Sequence, residues 1–256
     1  MTLLPNNQIQ ELLHFCSISD MEIRSDLILG YIINENDYTS NFTGALRRNI
    51  NSYSQTGLRA TSHLLTSQEE KGTGCDAAII IKTGNTGKVL LLEGKWPRLS
   101  NPFHHWDWKQ TSTGLSHFSD QLSRQANFAK RYAIAEMFYD ECAFGSGAPH
   151  MQPHGSVCVW HEDAIAYDLS RTNSPMVWSQ SELVTMLQKG THSIAHIVQQ
   201  VCLCYQGTVL NLPDTLRLNA LDFPLPSSIL VITGEESNKS NNYAPSAPDA
   251  VNRAGF

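Results

Sequence analysis

Glu93 and Lys95 stand two residues apart in KVLLLEGKW, residues Lys88 to Trp96, a run otherwise rich in Val and Leu. In a strand, side chains two apart leave the same face. An apolar strand has no structural use for an acid and a base on one side, since each costs several kcal/mol to desolvate unless it is paired or bound to a metal. Their ordinary alternative is an edge-strand charge pair in solvent, which the flanking hydrophobicity disfavours. Asp76 lies seventeen residues before Glu93, at the start of a second apolar run, AAIIIK (Ala77 to Lys82), and TGNTG (Thr83 to Gly87) separates the two runs. Two apolar runs joined by a turn dense in Gly, Asn and Thr predict an antiparallel β-hairpin. Such a hairpin carries Asp76, at one outer end, level with Glu93 and Lys95 at the other.

Two carboxylates and an ammonium at one place suit phosphodiester hydrolysis. Carboxylate oxygens are hard ligands for Mg²⁺, which keeps several waters and engages phosphate oxygens. A bound divalent ion lowers the pKa of a coordinated water and polarises the phosphate. A lysine beside it can orient the attacking water or counter the negative charge that develops. Other chemistries lack their signatures: no CxxC, HExxH, GxSxG or dinucleotide fingerprint is present, and TGNTG lacks the GK[ST] ending of a phosphate loop.

The order GCD, AAIIIK, turn, LLLEGK resembles the D-(x)n-ExK signature of the PD-(D/E)xK, or restriction-endonuclease-like, nuclease superfamily. Cys75 stands where the proline of "PD" would be. The resemblance covers roughly residues 30 to 140. It implies a Mg²⁺-dependent nuclease, with Mn²⁺ as a substitute, cleaving DNA, with RNA left open as substrate. It implies Asp76, Glu93 and Lys95 as the core of the site. INENDYTSNFTGALRRNI resembles the helix that brings a further acid to the metal in many of these enzymes, which makes Glu35 a third catalytic and metal-binding residue. Glu70, in the polar stretch EEKGTGCD, is its rival. SHFSDQLSRQ resembles the helix after the ExK strand whose glutamine faces the site; Gln121 and Gln125 are its candidates, Gln121 the preferred one. A bacterial restriction or anti-phage role, with a second copy or a defence-system protein as partner, follows from the resemblance alone. The competing function is a binding or assembly subunit that keeps the fold without catalysis.

The formal net charge is −6, but the charge is unevenly spread. Arg47 to Arg131 holds twelve Lys or Arg against six Asp or Glu, whereas residues after 140 hold five against ten. The basic excess in the segment carrying the motif fits a phosphate-bearing ligand. Six scattered cysteines read as small buried hydrophobes kept reduced, and His104 and His105, between aromatics, read as a surface or contact loop. The apolar runs are too short to span a bilayer and the N-terminus lacks a signal-peptide pattern, which predicts a cytoplasmic protein without membrane contact.

The elements that must position these residues follow from periodicity. Helices are expected over Asn7 to Phe15 and over Asp20 to Ile33 with Asp20 as N-cap, and a short one capped by Ser40 or Asn41. A strand is expected within Gly57 to Thr66. Ser116 to Tyr139 reads as one long helix with an apolar side. Val157 to Trp160 and Ile165 to Tyr167 read as a strand pair, and Glu182 to Lys189 and Ser193 to Gln206 as helices. The pattern predicts an α/β fold with a restriction-endonuclease-like core: a mixed central sheet flanked by helices, plus a C-terminal α/β extension. One domain is expected over 1–235, with its core at about 20–170 and the extension at 171–235. The Ser-, Asn- and Pro-rich tail, 236–256, has little to bury and reads as disordered.

Overall fold

The hairpin is the centre of the molecule. In the computed structural model, which describes residues 2–64, 74–98, 106–140, 155–189, 192–212, 226 and 228–235, β2 (Ala77–Thr83) pairs antiparallel with β3 (Thr86–Lys95). The register runs from Ala77 opposite Leu92 to Thr83 opposite Thr86, so the turn is two residues, Gly84 and Asn85, not the five of TGNTG. Gly84 has φ +49°, a backbone that glycine takes without a Cβ clash. All of β2 but Thr83, and all of β3 but Thr86, are buried, as strands covered on both faces must be.

These strands belong to a seven-stranded mixed sheet in the order β1-β7-β2-β3-β4-β5, with β6 (Leu210–Asn211) beside the start of β3. β1 (Arg59–Leu64) falls inside the expected segment. β7 (Ser228–Gly234) lies parallel to β2 and antiparallel to β1. A stretch assigned to a C-terminal extension thus supplies an interior strand of the main sheet. Its run SILVITG is apolar and β-branched, the same signal that marks AAIIIK.

The expected long helix over Ser116 to Tyr139 is wrong. α3 (His117–Ala129) ends there, and β4 (Ala133–Phe138) runs parallel to β3, with Glu93 opposite Glu136. All six residues of AIAEMF are buried. A strand buried on both faces reads as a continuous apolar run, which a 3.6-residue period also accommodates; burial then outweighs the helix preference of Ala, Glu and Met. β5 (Val157–Trp160) completes that edge. Ile165 to Tyr167, expected as its partner strand, lie in α4 (His161–Ser170), whose first turn carries Glu162 and Asp163 where helix N–H groups favour acids.

α1 (Asn6–Ile28) is one helix rather than two. Asp20, expected to cap the second, is buried inside it and accepts from Tyr38 Oη at 2.9 Å and from Ser156 N at 2.6 Å. Tertiary partners, not a helix end, satisfy this carboxylate, and burial pushes its pKa up. α2 (Glu35–Tyr53) is capped by Asn34, which accepts from Asp37 N at 2.9 Å; Ser40 and Asn41, the expected caps, are mid-helix. α5 (Gln180–Lys189) and α6 (Ile194–Cys202) sit where periodicity places them.

α1, α2 and α6 cover one face of the sheet with Leu12, Phe42, Leu46 and Ile197. α3, α4 and α5 cover the β4–β5 end of the other face with Phe118, Leu122, Ala164 and Leu183. The fold is therefore α/β with a mixed sheet between helices. Among the described residues no disulfide forms and no helix is long and apolar enough to cross a membrane. Glu70, His104, His105, Cys142 and the tail lie outside the described residues.

Candidate active site

Asp76 N donates to Leu92 O at 2.8 Å, one residue out of the Ala77–Leu92 register, and so is tied to β3 just beyond the end of the ladder. Asp76 therefore sits at the open end of the hairpin, near enough for its charge to raise the Glu93 pKa. Its Oδ2 accepts from Gly94 N at 2.8 Å. Gly94 has to be glycine: a Cβ there would lie 2.7 Å from Thr39 Oγ1 and 3.1 Å from Asp76 Oδ2. On the next residue of β3, the buried Lys95 donates from Nζ to Glu93 Oε1 at 2.5 Å. Gln121 Nε2, from α3, donates to that same oxygen at 2.6 Å. Glu35, the first residue of α2, accepts from Trp96 N at 2.9 Å through Oε1 and places Oε2 3.9 Å from Lys95 Nζ. The five expected residues thus converge, although Glu35 meets the lysine rather than the other two acids.

Burial is the largest influence on the charges. It pushes Asp76 up to about 6, against the pull of Lys95 and of the Gly94 N–H, with Glu35 and Glu136 adding to the rise. It pushes Glu93 well above the carboxylate range, opposed by Lys95 and reinforced by Asp76. Burial alone would lower Lys95, but Glu93, Glu35 and Asp76 reverse this and raise it. A carboxyl raised in the folded state stabilises the protein below its unfolded pKa, and that stability is lost as pH rises through the folded pKa. For Asp76 the window runs from 3.8 to about 6. Without metal, Asp76→Asn should therefore melt above wild type at pH 8, by on the order of 2 kcal/mol. The gain should shrink towards pH 4. Thermal melts across that range check this, and an equal difference at both ends would contradict it.

Several groups were missed in the sequence. Glu136 on β4 is in register with Glu93, is fully buried, and neither carboxylate oxygen has a hydrogen-bond partner. His161 Nδ1 lies 3.5 Å from its Oε1. The signal for Glu93 is an acid and a base two residues apart on one face of an apolar strand; Glu136 has no such basic neighbour in AIAEMF, and that run also fits a helical period. Tyr139 donates from its amide to Lys95 O at 3.1 Å and from its hydroxyl to Glu35 O at 3.3 Å, and stacks on Tyr38 with ring centroids 3.8 Å apart. Gln125, the second candidate glutamine of the sequence, lies one turn after Gln121 and supports the site from behind. Its Nε2 donates to Gly74 O at 2.7 Å, two residues before Asp76. That bond turns Oε1 towards His161 Nδ1 at 3.0 Å, so this nitrogen carries the imidazole proton.

A hard divalent cation fits the donor set. Asp76 and Glu93 present carboxylates that burial and neighbouring acids drive towards the protonated state, and a cation would relieve both. Gln121 Oε1 and the Glu136 oxygens are buried without partners, so the same region has oxygen acceptors to spare. Among the described residues no three His, Cys, Asp or Glu side chains enclose an ion by themselves. Mg²⁺ is commonly held by one or two carboxylates with waters and substrate phosphate. No known protein family, curated protein or solved structure matches the chain.

Proposed function

We propose that the protein is a divalent-metal-dependent nuclease with a restriction-endonuclease-like core, acting on DNA phosphodiester bonds. The observation that carries this reading is the buried junction at the open end of the hairpin. There Asp76 accepts from Gly94 N beside Glu93, Lys95 is bonded to Glu93, and Glu35 and Gln121 close in from two helices. Asp76 and Glu93 would hold Mg²⁺, or Mn²⁺ in its place, with Glu35 as the further acid. The bound ion supplies an activated water and a polarised phosphate. Lys95 stays charged at neutral pH in this arrangement. Its part is to orient the nucleophile and counter negative charge on the phosphate oxygens, not to take a proton. Gln121 fixes the Glu93 carboxylate through Oε1. Arg47, Arg48, Arg98, Arg124 and Arg131 supply backbone affinity. The setting, bacterial restriction or anti-phage defence in the cytoplasm with a second copy or another protein as partner, rests on the motif's resemblance alone.

The test is incubation of supercoiled plasmid, linear duplex, single-stranded DNA and RNA with the purified protein. Cleavage of a DNA substrate is expected in Mg²⁺ or Mn²⁺, abolished by EDTA and restored by excess metal. Binding without cleavage of any of them in either metal would leave a non-catalytic binding subunit as the better account.

A further inference from the structure

Trp108 is 49% exposed, yet the chain around it is fixed from within. The neighbouring Asp107 is buried, and its carboxylate accepts from Ser116 Oγ at 2.7 Å, Phe118 N at 3.0 Å and Trp178 N at 2.9 Å. Trp108 O accepts from His117 N at 3.0 Å, and Lys109 bridges Ser116 as an antiparallel pair. The His117 ring stacks on the indole, with centroids 4.4 Å apart and planes at 22°. A single exposed aromatic is ordinary. An exposed aromatic whose backbone is anchored on both sides, with another ring stacked against it, is not explained by packing.

Its position relates it to the site. His117 opens α3, and Gln121, the residue bonded to Glu93, is one turn later on the same face. Arg124 follows three residues on, with its side chain 41% exposed and paired at Nε with Asp120. We propose that Trp108, backed by His117, is a stacking platform for an unpaired base of the strand entering the Asp76–Glu93–Lys95 site. The preferred substrate is then single-stranded DNA or the frayed end of a duplex. This deepens the nuclease reading and rests on it.

Every base offers a π-face, so an aromatic platform recognises unpaired nucleotides whatever their sequence, whereas a paired base is shielded by its neighbours. Lys109 and Arg124 supply positive charge for the flanking phosphates. Burial, helped by Lys95 and Arg124, lowers the His117 pKa, so the imidazole is neutral at physiological pH and acts as a ring rather than a phosphate-binding cation.

Binding is measured in EDTA, where cleavage plays no part, by the fluorescence anisotropy of a labelled thymidine oligomer and of a blunt duplex. Trp108→Ala should weaken oligomer binding at least about fivefold, Trp108→Phe should restore most of it, and duplex binding should stay within about twofold. Melting curves establish that both variants fold. In Mg²⁺, Trp108→Ala should raise KM for the oligomer with little change in kcat. Wild-type oligomer affinity in a folded Trp108→Ala protein would overturn the platform, as would equal losses on oligomer and duplex. If Trp108 governs oligomer binding but the wild type cleaves nothing in Mg²⁺ or Mn²⁺, the platform stands and the nuclease reading fails.

Discussion

Lys95→Ala should cleave DNA at least about a hundredfold more slowly than wild type at saturating Mg²⁺, while binding it within a few-fold. The ammonium is buried and bonded to Glu93, so it is already oriented before substrate arrives. A preorganised charge of this kind is typically worth on the order of 10²–10³ in rate. Affinity, by contrast, is on the proposed reading spread over several arginines, and losing one phosphate contact would flatten the salt dependence by only about one unit of slope. The substitution also leaves Glu93 without its cation, so melting curves accompany the kinetics. Lys95→Gln, which can still donate to Glu93 but carries no charge, should be comparably slow. Near wild-type cleavage by either folded variant would remove Lys95 from the chemistry and with it the nuclease reading of the hairpin.

The largest effect on stability is expected from Arg24→Met. Arg24 is fully buried in α1; its Nη2 donates to Asp140, also fully buried, and its Nη1 to Gly155 O at 2.9 Å. One guanidinium therefore ties residue 140, just after β4, to residue 155, just before β5. Removing it takes the guanidinium from a buried carboxylate, and breaking a buried ion pair typically costs about 3–5 kcal/mol. For a chain of this size that lowers Tm by on the order of 10 °C. Arg24→Met combined with Asp140→Leu should recover much of the loss, because an apolar pair of similar volume often replaces a buried ion pair without penalty. Calorimetric melts decide it: a single variant within about 2 °C of wild type would show that the clamp contributes little.

What was legible in the sequence was local. The AAIIIK and KVLLLEGKW hairpin needs only neighbouring residues and a turn, and it brings Asp76, Glu93 and Lys95 together by register. Glu35 and Gln121 were legible only through the resemblance of their segments to nuclease helices; periodicity starts the first of these helices at Ser40 or Asn41, whereas α2 begins at Glu35 with Asn34 as its cap. The non-local parts were not legible. The parallel pairing of β7 with β2 leaves no trace near either strand. β4 is buried on both faces, so its apolar run carried no alternation to separate strand from helix, and Glu136 was lost with it. Tyr139 and His161 owe their places to contacts between elements far apart in the chain, which periodicity does not encode.

β7 has one more consequence, for the order of assembly. Ser228–Gly234 is made about 150 residues after β2, yet it fills the place between β1 and β2. As the nascent chain leaves the ribosome, the hairpin can close early, but β2 then presents a long, flat, isoleucine-rich edge with its amides and carbonyls unpaired. Until the last strand arrives, that edge is open to pairing with other chains. Release of a polypeptide shortened before residue 228 would make the exposure permanent, so such fragments are expected to aggregate rather than to persist as smaller folded proteins.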